Sequence, residues 1–209
     1  MLVISKKICM IGDFSVGKTS LIRRYMDNQF SDQYLTTVGV KISRKLLSLE
    51  GLSDGNSVKS IPNSIANFQP NASIANRQNN CNSNVTGVKE LSLQMLIWDL
   101  EGSTRFQGIV PTYLQGASGA LVVADVTRLN TIENIKGHVE LFHSINPNSP
   151  IIIVLNKSDL CLEETLHSLI LDVNRKMYQN TLAVLYTSAK EDIGVAEAFT
   201  LLASHIIKS

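Results

Sequence analysis

Gly12-Asp13-Phe14-Ser15-Val16-Gly17-Lys18-Thr19 follows a short apolar run, Lys7 to Ile11, and precedes a segment of helical period. The octet fits G-x-x-x-x-G-K-[ST] in the setting of strand, loop and helix that gives this pattern its meaning. Its glycines let the backbone wrap an anion, so that successive N–H groups and the helix N-terminus point at negative charge. Lys18 is placed to pair with the β- and γ-phosphates of a nucleotide, and Thr19 to offer a hydroxyl to Mg²⁺. By itself the octet does not separate ATP from GTP.

Outward from this loop, short apolar runs alternate with segments of helical period from Lys6 to Ser48 and from Glu90 to His205. That alternation predicts an α/β fold with a mostly parallel six-stranded sheet, one antiparallel strand pair, and helices on both faces. Six strands are expected: Lys7 to Ile11, Val40 to Leu49, Leu91 to Trp98, Gly119 to Asp125, Ile151 to Leu155 and Ala183 to Thr187. The second and third each alternate apolar and polar residues, so they read as neighbours with one face open to solvent. Helical stripes are formed by Ile132, Ile135, Val139 and Phe142, by Leu166, Leu169, Val173 and Met177, and by Val195, Phe199, Leu202 and Ile206. Their expected role is packing on the sheet.

Residues 51–89 break the pattern. They are crowded with Asn and Ser, include Pro62 and Pro70, and hold few large apolar side chains, so burial there does not offset the entropy of ordering. The expectation is one domain over 1–209, interrupted by a disordered insertion at 51–89. Within it, 64–71 is echoed by 73–80, which is too few copies for a solenoid.

Bulk properties exclude several function classes. The 209 residues carry 19 Lys and Arg against 18 Asp and Glu, a net charge of +1, which offers no electrostatic footprint for nucleic acid. Cys9, Cys81 and Cys161 are odd in number and far apart, which suits neither a disulfide framework nor a zinc site and points to a reducing, cytoplasmic setting. In such a setting Asn71-Ala72-Ser73 and Asn84-Val85-Thr86 match the glycosylation pattern by chance. No apolar run reaches the ~18 residues that suggest a transmembrane helix.

The base-reading chemistry lies further along. Asn156-Lys157-Ser158-Asp159 directly follows the expected strand Ile151 to Leu155, at the sheet edge where such folds bind ligands. A carboxylate at Asp159 can accept from both the N1–H and the exocyclic amine of guanine, a donor pair that adenine lacks. Ser188-Ala189-Lys190 follows the last strand, within reach of the guanine oxygen through backbone amides.

With these motifs in this order, the chain resembles the Ras superfamily of small GTPases, and the Rab branch most of all, over about 5–49 and 90–207. The resemblance implies GTP or GDP as ligand, Mg²⁺ as cofactor, and a nucleotide site built from Gly12, Asp13, Phe14, Ser15, Val16, Gly17, Lys18, Thr19 and Ser20. Thr36-Thr37-Val38-Gly39-Val40 is similar to the first Rab switch, which implies that Thr37 joins Thr19 on the metal. Phe30 matches the aromatic that packs on guanine, and Tyr34 belongs to the same nucleotide-binding set. Trp98-Asp99-Leu100-Glu101-Gly102 looks like the D-x-x-G motif. This implies that Asp99 holds the metal through water and that Gly102 donates its N–H to the γ-phosphate. Arg105-Phe106, Tyr113, Gly116-Ala117 and Asp125-Val126-Thr127 extend the likeness. Effector, exchange-factor and activator proteins are the implied partners. ATP-using P-loop enzymes are disfavoured by Asp159 and by the lack of an Arg-rich lid.

The chain departs from the family at two catalytic positions. Ser103 stands where the family carries the glutamine that orients the attacking water, and Glu101 is the nearby carboxylate able to replace it. Phe14 occupies a phosphate-loop position that is glycine in Ras proteins and small in Rabs. With Lys18, Thr37, Gly102 and Ser103 as the catalytic set, slow hydrolysis is expected, the alternative being a constitutively GTP-bound interaction protein. The sequence closes on Ile207-Lys208-Ser209 where Rabs carry a prenylated cysteine tail, and Leu2 excludes myristoylation, so membrane recruitment is expected to run through a partner.

Overall fold

The computed structural model describes residues 2–31, 37–48, 91–102, 110–176, 178 and 180–208. The insertion at 51–89 lies outside them, as do Tyr34, Thr36, Leu49, Ser103, Arg105, Phe106 and Met177. The element order is β1 (Leu2–Ile11), α1 (Lys18–Asp27), β2 (Val40–Ser48), β3 (Leu91–Leu100), α2 (Val110–Leu114) and β4 (Gly119–Asp125), followed by α3 (Leu129–Glu133), α4 (Ile135–Ile145), β5 (Ile151–Asn156), α5 (Glu163–Arg175), β6 (Thr181–Thr187) and α6 (Val195–Ile206). A short 3-10 turn, Ser158–Leu160, sits between β5 and α5.

The six strands form one sheet in the order β2-β3-β1-β4-β5-β6, with β2 antiparallel to β3 and every other pair parallel. This is the α/β, P-loop architecture expected from the motifs, including the single antiparallel pair. Strand ends differ from the sequence reading. β1 begins at Leu2, five residues before the expected start, because it pairs with β3 from Leu2↔Leu91 to Met10↔Asp99. Cross-strand pairing therefore extends the strand through Leu2-Val3-Ile4, an apolar run beyond the two lysines at which the sequence reading began.

Two cores flank the sheet. On one face α1 and α6 pack Leu21, Ile22, Phe199, Leu202 and Ile206 against Ile8, Met10 and Ile97. On the other, α2 to α5 pack Leu114, Ile132, Ile135, Phe142, Leu166 and Val173 against Ile11, Val122 and Ile153. β4 and β5 are buried at every residue, which explains their continuous apolar runs. Each large side chain buried this completely contributes roughly 1.5–3 kcal/mol. The stripe from Ile132 to Phe142 divides at Asn134, which ends α3 and precedes α4.

The sheet order also places the site. β1 lies between β3 and β4, so the loop after β1 opens where the chain's connections diverge to the two sides of the sheet. In open α/β sheets that crevice, outside the carboxyl ends of the strands, is where ligands bind.

Candidate functional site

A cleft of about 360 Å³ opens at this edge. Of the residues singled out from sequence, Phe14, Ser15, Gly17, Lys18, Thr19, Ser20, Phe30, Thr37, Gly102, Asn156, Lys157, Asp159, Ala189 and Lys190 line it. Stretches far apart in sequence, from Phe14 to Lys190, thus converge on one cavity. Leu100 and Glu101, inside the quoted Trp98–Gly102 stretch, line it too, as do Arg23, Gln29, Ser31 and Leu160, which no motif singles out.

The phosphate loop takes its shape from backbone that ordinary residues resist. Gly17 has φ +99° and caps α1 without any side-chain bond, and Ser15 also lies in the left-handed region at φ 62°. The first turn of α1 consequently has no N-cap side chain, and Gly17, Lys18, Thr19 and Ser20 line the cleft, the arrangement that attracts an anion. Gly12 packs so closely on β4 that a Cβ there would overlap the carbonyl oxygen of Val123. Val16 is fully buried in the core and contributes backbone only.

Lys18 is almost wholly buried, and its Nζ donates to the carbonyl oxygens of Gly12 and Asp13 at 2.7 Å each. Burial pulls its ammonium down to about 8, against the opposing fields of Asp99 and Asp13. An anion placed against Lys18 restores the charge that burial disfavours.

Beside it three oxygens meet. Thr19 Oγ1 donates to Asp99 Oδ2 at 2.5 Å and lies 2.7 Å from Thr37 Oγ1, and Thr37 Oγ1 donates to the same carboxylate oxygen at 3.4 Å. Asp99 is 1% exposed, and its second oxygen has no hydrogen-bond partner among the described residues. Burial pushes its carboxyl above the ordinary value, although the Thr19 bond and the Lys18 charge pull the other way. Two hydroxyls and a buried carboxylate with a spare oxygen make a hard, all-oxygen donor set, which fits a small divalent cation such as Mg²⁺.

At the far end, Asn156 welds the base loop to the phosphate loop. Its Nδ2 donates to the Val16 carbonyl at 2.9 Å, and Thr187 Oγ1 donates to its Oδ1 at 3.1 Å. Asp159 accepts from Ser188 Oγ at 2.6 Å, and Ser188 is itself fully buried. Ser188 therefore braces the Asp159 carboxylate instead of lining the cleft. Lys157, at φ 66°, sends its Nζ to Asp125 Oδ2 at 2.6 Å. Arg24 on α1 fastens the last loop by donating to the carbonyls of Ala189 at 2.8 Å and Lys190 at 2.9 Å.

Two placements depart from the simplest reading of the sequence. The Asp13 side chain bonds to Asn134 and His138, so only its backbone faces the loop interior. Glu101, the carboxylate nearest to Ser103 in the motif, already accepts the Gly39 N–H through Oε2 at 2.8 Å. Phe14 is 42% exposed at the cleft. No helix among the described residues is long and apolar enough to cross a membrane.

The Ras family model matches residues 66–208, and that of the Ras of Complex, Roc, domain of DAPkinase matches residues 7–66, the two meeting inside the Asn/Ser-rich stretch. The chain is similar to the Ras-related protein Rab-32C of Dictyostelium discoideum, 31% identical over 209 residues that cover 99% of this chain and 75% of the relative. It is also similar to the Ras-related protein Rab-1C of the same organism, at 29% identity over 97% of this chain and 81% of the relative. The GTP-binding protein YPTM1 of Zea mays is 28% identical over 97% of this chain and 78% of its own length. The likeness thus runs across nearly the whole chain on both sides of the insertion.

Proposed function

The chain belongs to the Ras family of small GTPases, in its Rab-like branch, and from that premise we propose that it is a GTP/GDP switch with an unusually slow hydrolysis step. Members of this family bind guanine nucleotides with Mg²⁺ and couple the bound nucleotide to partner binding. The observation that carries the reading here is the convergence of Thr19, Thr37 and Asp99 on one point. Thr37 follows the loop after α1 and Asp99 ends β3, so a ligand held at that point ties two otherwise separate segments together.

Each residue has a role that follows from its place. Lys18 and the first amides of α1 bind the phosphates, and Thr19, Thr37 and Asp99 hold the metal. A Mg²⁺ ion bound there supplies positive charge against the phosphate oxygens. Asp159, oriented by Ser188, reads the guanine edge, while Phe30 lines the same cleft. Gly102 closes over the Asp13 carbonyl and the Lys18 ammonium so tightly that a Cβ there has no room.

Slow hydrolysis follows from two side chains. Ser103 is too short to hold water as a glutamine does, and the half-exposed Phe14 ring crowds the approach of an activating arginine. Intrinsic hydrolysis at or below about 3–5 × 10⁻⁴ s⁻¹, the Ras reference rate, is expected, with little response to an arginine-finger activator. Single-turnover hydrolysis of labelled GTP by wild type, Ser103→Gln, Phe14→Gly and the double variant tests this. A partial gain in Ser103→Gln and a larger one in the double variant support it. A wild type faster than the reference rate overturns it.

A second reading, a constitutively GTP-bound interaction protein, draws support from the bonds between Glu101 and Gly39, which hold the two switch segments together. The nucleotide retained on purification, with its release rate, separates the two. A mixed GTP and GDP population with measurable exchange favours the switch.

A further inference from the structure

The phosphate loop is gripped from outside by α4 and the turn before it. Asn134 Nδ2 donates to Asp13 Oδ2 at 2.8 Å, and His138 Nε2 meets Asp13 Oδ1 at 2.8 Å. Asn134 and His138 stand four residues apart, one helical turn, so each takes one oxygen of the same carboxylate. Asparagine just before a helix ordinarily caps its first turn, yet Asn134 makes no side-chain cap bond to α4. Its amide is turned to the phosphate loop instead. The grip comes from a rigid element, because Ile135, Val139 and Phe142 anchor α4 in the core. Nearby, Arg128 Nη2 donates to the Phe14 carbonyl at 2.9 Å while its Nε pairs with the buried Asp125.

The backbone of Asp13 faces the opposite way. Its carbonyl accepts from Lys18 Nζ at 2.7 Å and lies 2.5 Å from where a Cβ on Gly102 would be. One residue thus connects α4 to both Lys18 and the D-x-x-G segment. The rest of the loop is held independently, through Asn156 on the Val16 carbonyl.

We infer that Asn134 and His138 are positioning residues that set the Asp13–Phe14 peptide and thereby favour nucleoside triphosphate over diphosphate. This rests on reading the cleft as a guanine-nucleotide site. The part of the loop under their control is the part against Gly102, where the terminal phosphate is placed by the D-x-x-G reading. The part beside Val16 and Gly17, nearer the helix start, keeps its own support. Loss of the grip therefore falls on the triphosphate more than on the diphosphate.

The test is release of fluorescent GDP and of a fluorescent non-hydrolysable GTP analogue, with Mg²⁺, from the full chain as wild type, His138→Ala and His138→Gln, alongside thermal melting. In His138→Ala the analogue should leave roughly fivefold faster and GDP less than about twofold faster, the scale of one lost hydrogen bond to a charged, partly exposed group. His138→Gln retains an N–H donor for the same oxygen and should stay within about twofold of wild type. Unchanged analogue release in His138→Ala overturns the inference. So does equal acceleration of both nucleotides with a lowered melting temperature, the mark of a purely structural contact. Wild type that holds neither nucleotide sinks the underlying reading of the site, a result distinct from either.

Discussion

Glu101 and Gly39 exchange a reciprocal pair of hydrogen bonds: the Gly39 N–H donates to Glu101 Oε2 at 2.8 Å, and the Glu101 N–H donates to the Gly39 carbonyl at 3.0 Å. The pair continues the antiparallel β2–β3 ladder by one step beyond Val40↔Leu100. It lies two residues after both Thr37 and Asp99, so it locks together the segments that bring those oxygens to one point. A carboxylate used in this way takes part in closure through Oε2.

Glu101→Ala is therefore expected to speed release of a GTP analogue by about three- to tenfold, the scale of one charge-assisted hydrogen bond. Single-turnover hydrolysis of GTP already bound should change less than about twofold. Glu101→Gln, which keeps an oxygen acceptor, should release the analogue at nearly the wild-type rate. A large loss of hydrolysis in Glu101→Ala with unchanged release would show instead that the carboxylate serves the water.

Asp159→Asn tests the base reader. Ser188 holds Oδ1, so in the variant the retained amide oxygen keeps that bond and the new Nδ2 faces the base. GTP affinity is expected to fall by at least about 100-fold, because a donor then meets the guanine donors. Xanthosine triphosphate, which presents a carbonyl in place of the amine, should bind better than to wild type. Fluorescence titration with the two nucleotides and with ATP checks this, and equal wild-type affinity for ATP and GTP would contradict the assignment.

Replacing Gly51 to Lys89 with a short hairpin turn is expected to leave GTP affinity within about threefold of wild type. The strands on either side of the segment end as cross-strand neighbours, Ser48 opposite Ser92, which a turn can join. From that pair to Lys41↔Asp99 at the site end is seven residues of strand, roughly 23 Å at the usual rise. A variant that melts like wild type but no longer binds nucleotide would mean that the insertion reaches the cleft.

Tyr25 contributes to behaviour at alkaline pH. Its ring stacks on Phe199 with centroids 4.1 Å apart, Lys45 lies over its other surface, and its buried hydroxyl has no hydrogen-bond partner among the described residues. Burial pushes the phenol up to about 12. With the folded value above the unfolded one near 10, this group's contribution is fully present below pH 10 and is lost as pH rises through about 12. Absorbance at 295 nm should show tyrosine ionisation extending to about pH 12, and Tyr25→Phe should remove that latest component while the raised Tyr178 remains. The same variant should be neutral or more stable by up to about 1 kcal/mol in urea unfolding, since it removes an unpaired buried hydroxyl. A marked destabilisation would show that the hydroxyl has a partner.

The order of amino acids was enough to predict the sheet and to mark the phosphate-loop octet and the Asn156–Asp159 tetrapeptide, because each is encoded locally. Strand runs such as Gly119–Asp125 are buried on both faces and so are apolar throughout, and the phosphate loop needs Gly17 at a fixed place before α1. The same local character made Ser103 and Phe14 visible as departures. What tertiary structure alone decided are the supports of the site. Asp13 meets Asn134 and His138 across 121 and 125 residues of chain, Asn156 reaches the Val16 carbonyl across 140, and Arg24 reaches Ala189 across 165. These bonds depend on which helix face the sheet order brings beside which loop. A histidine on a helical stripe has the same sequence signature whether it points to solvent or to a carboxylate, so nothing in the local pattern distinguishes His138 until the fold sets it against Asp13.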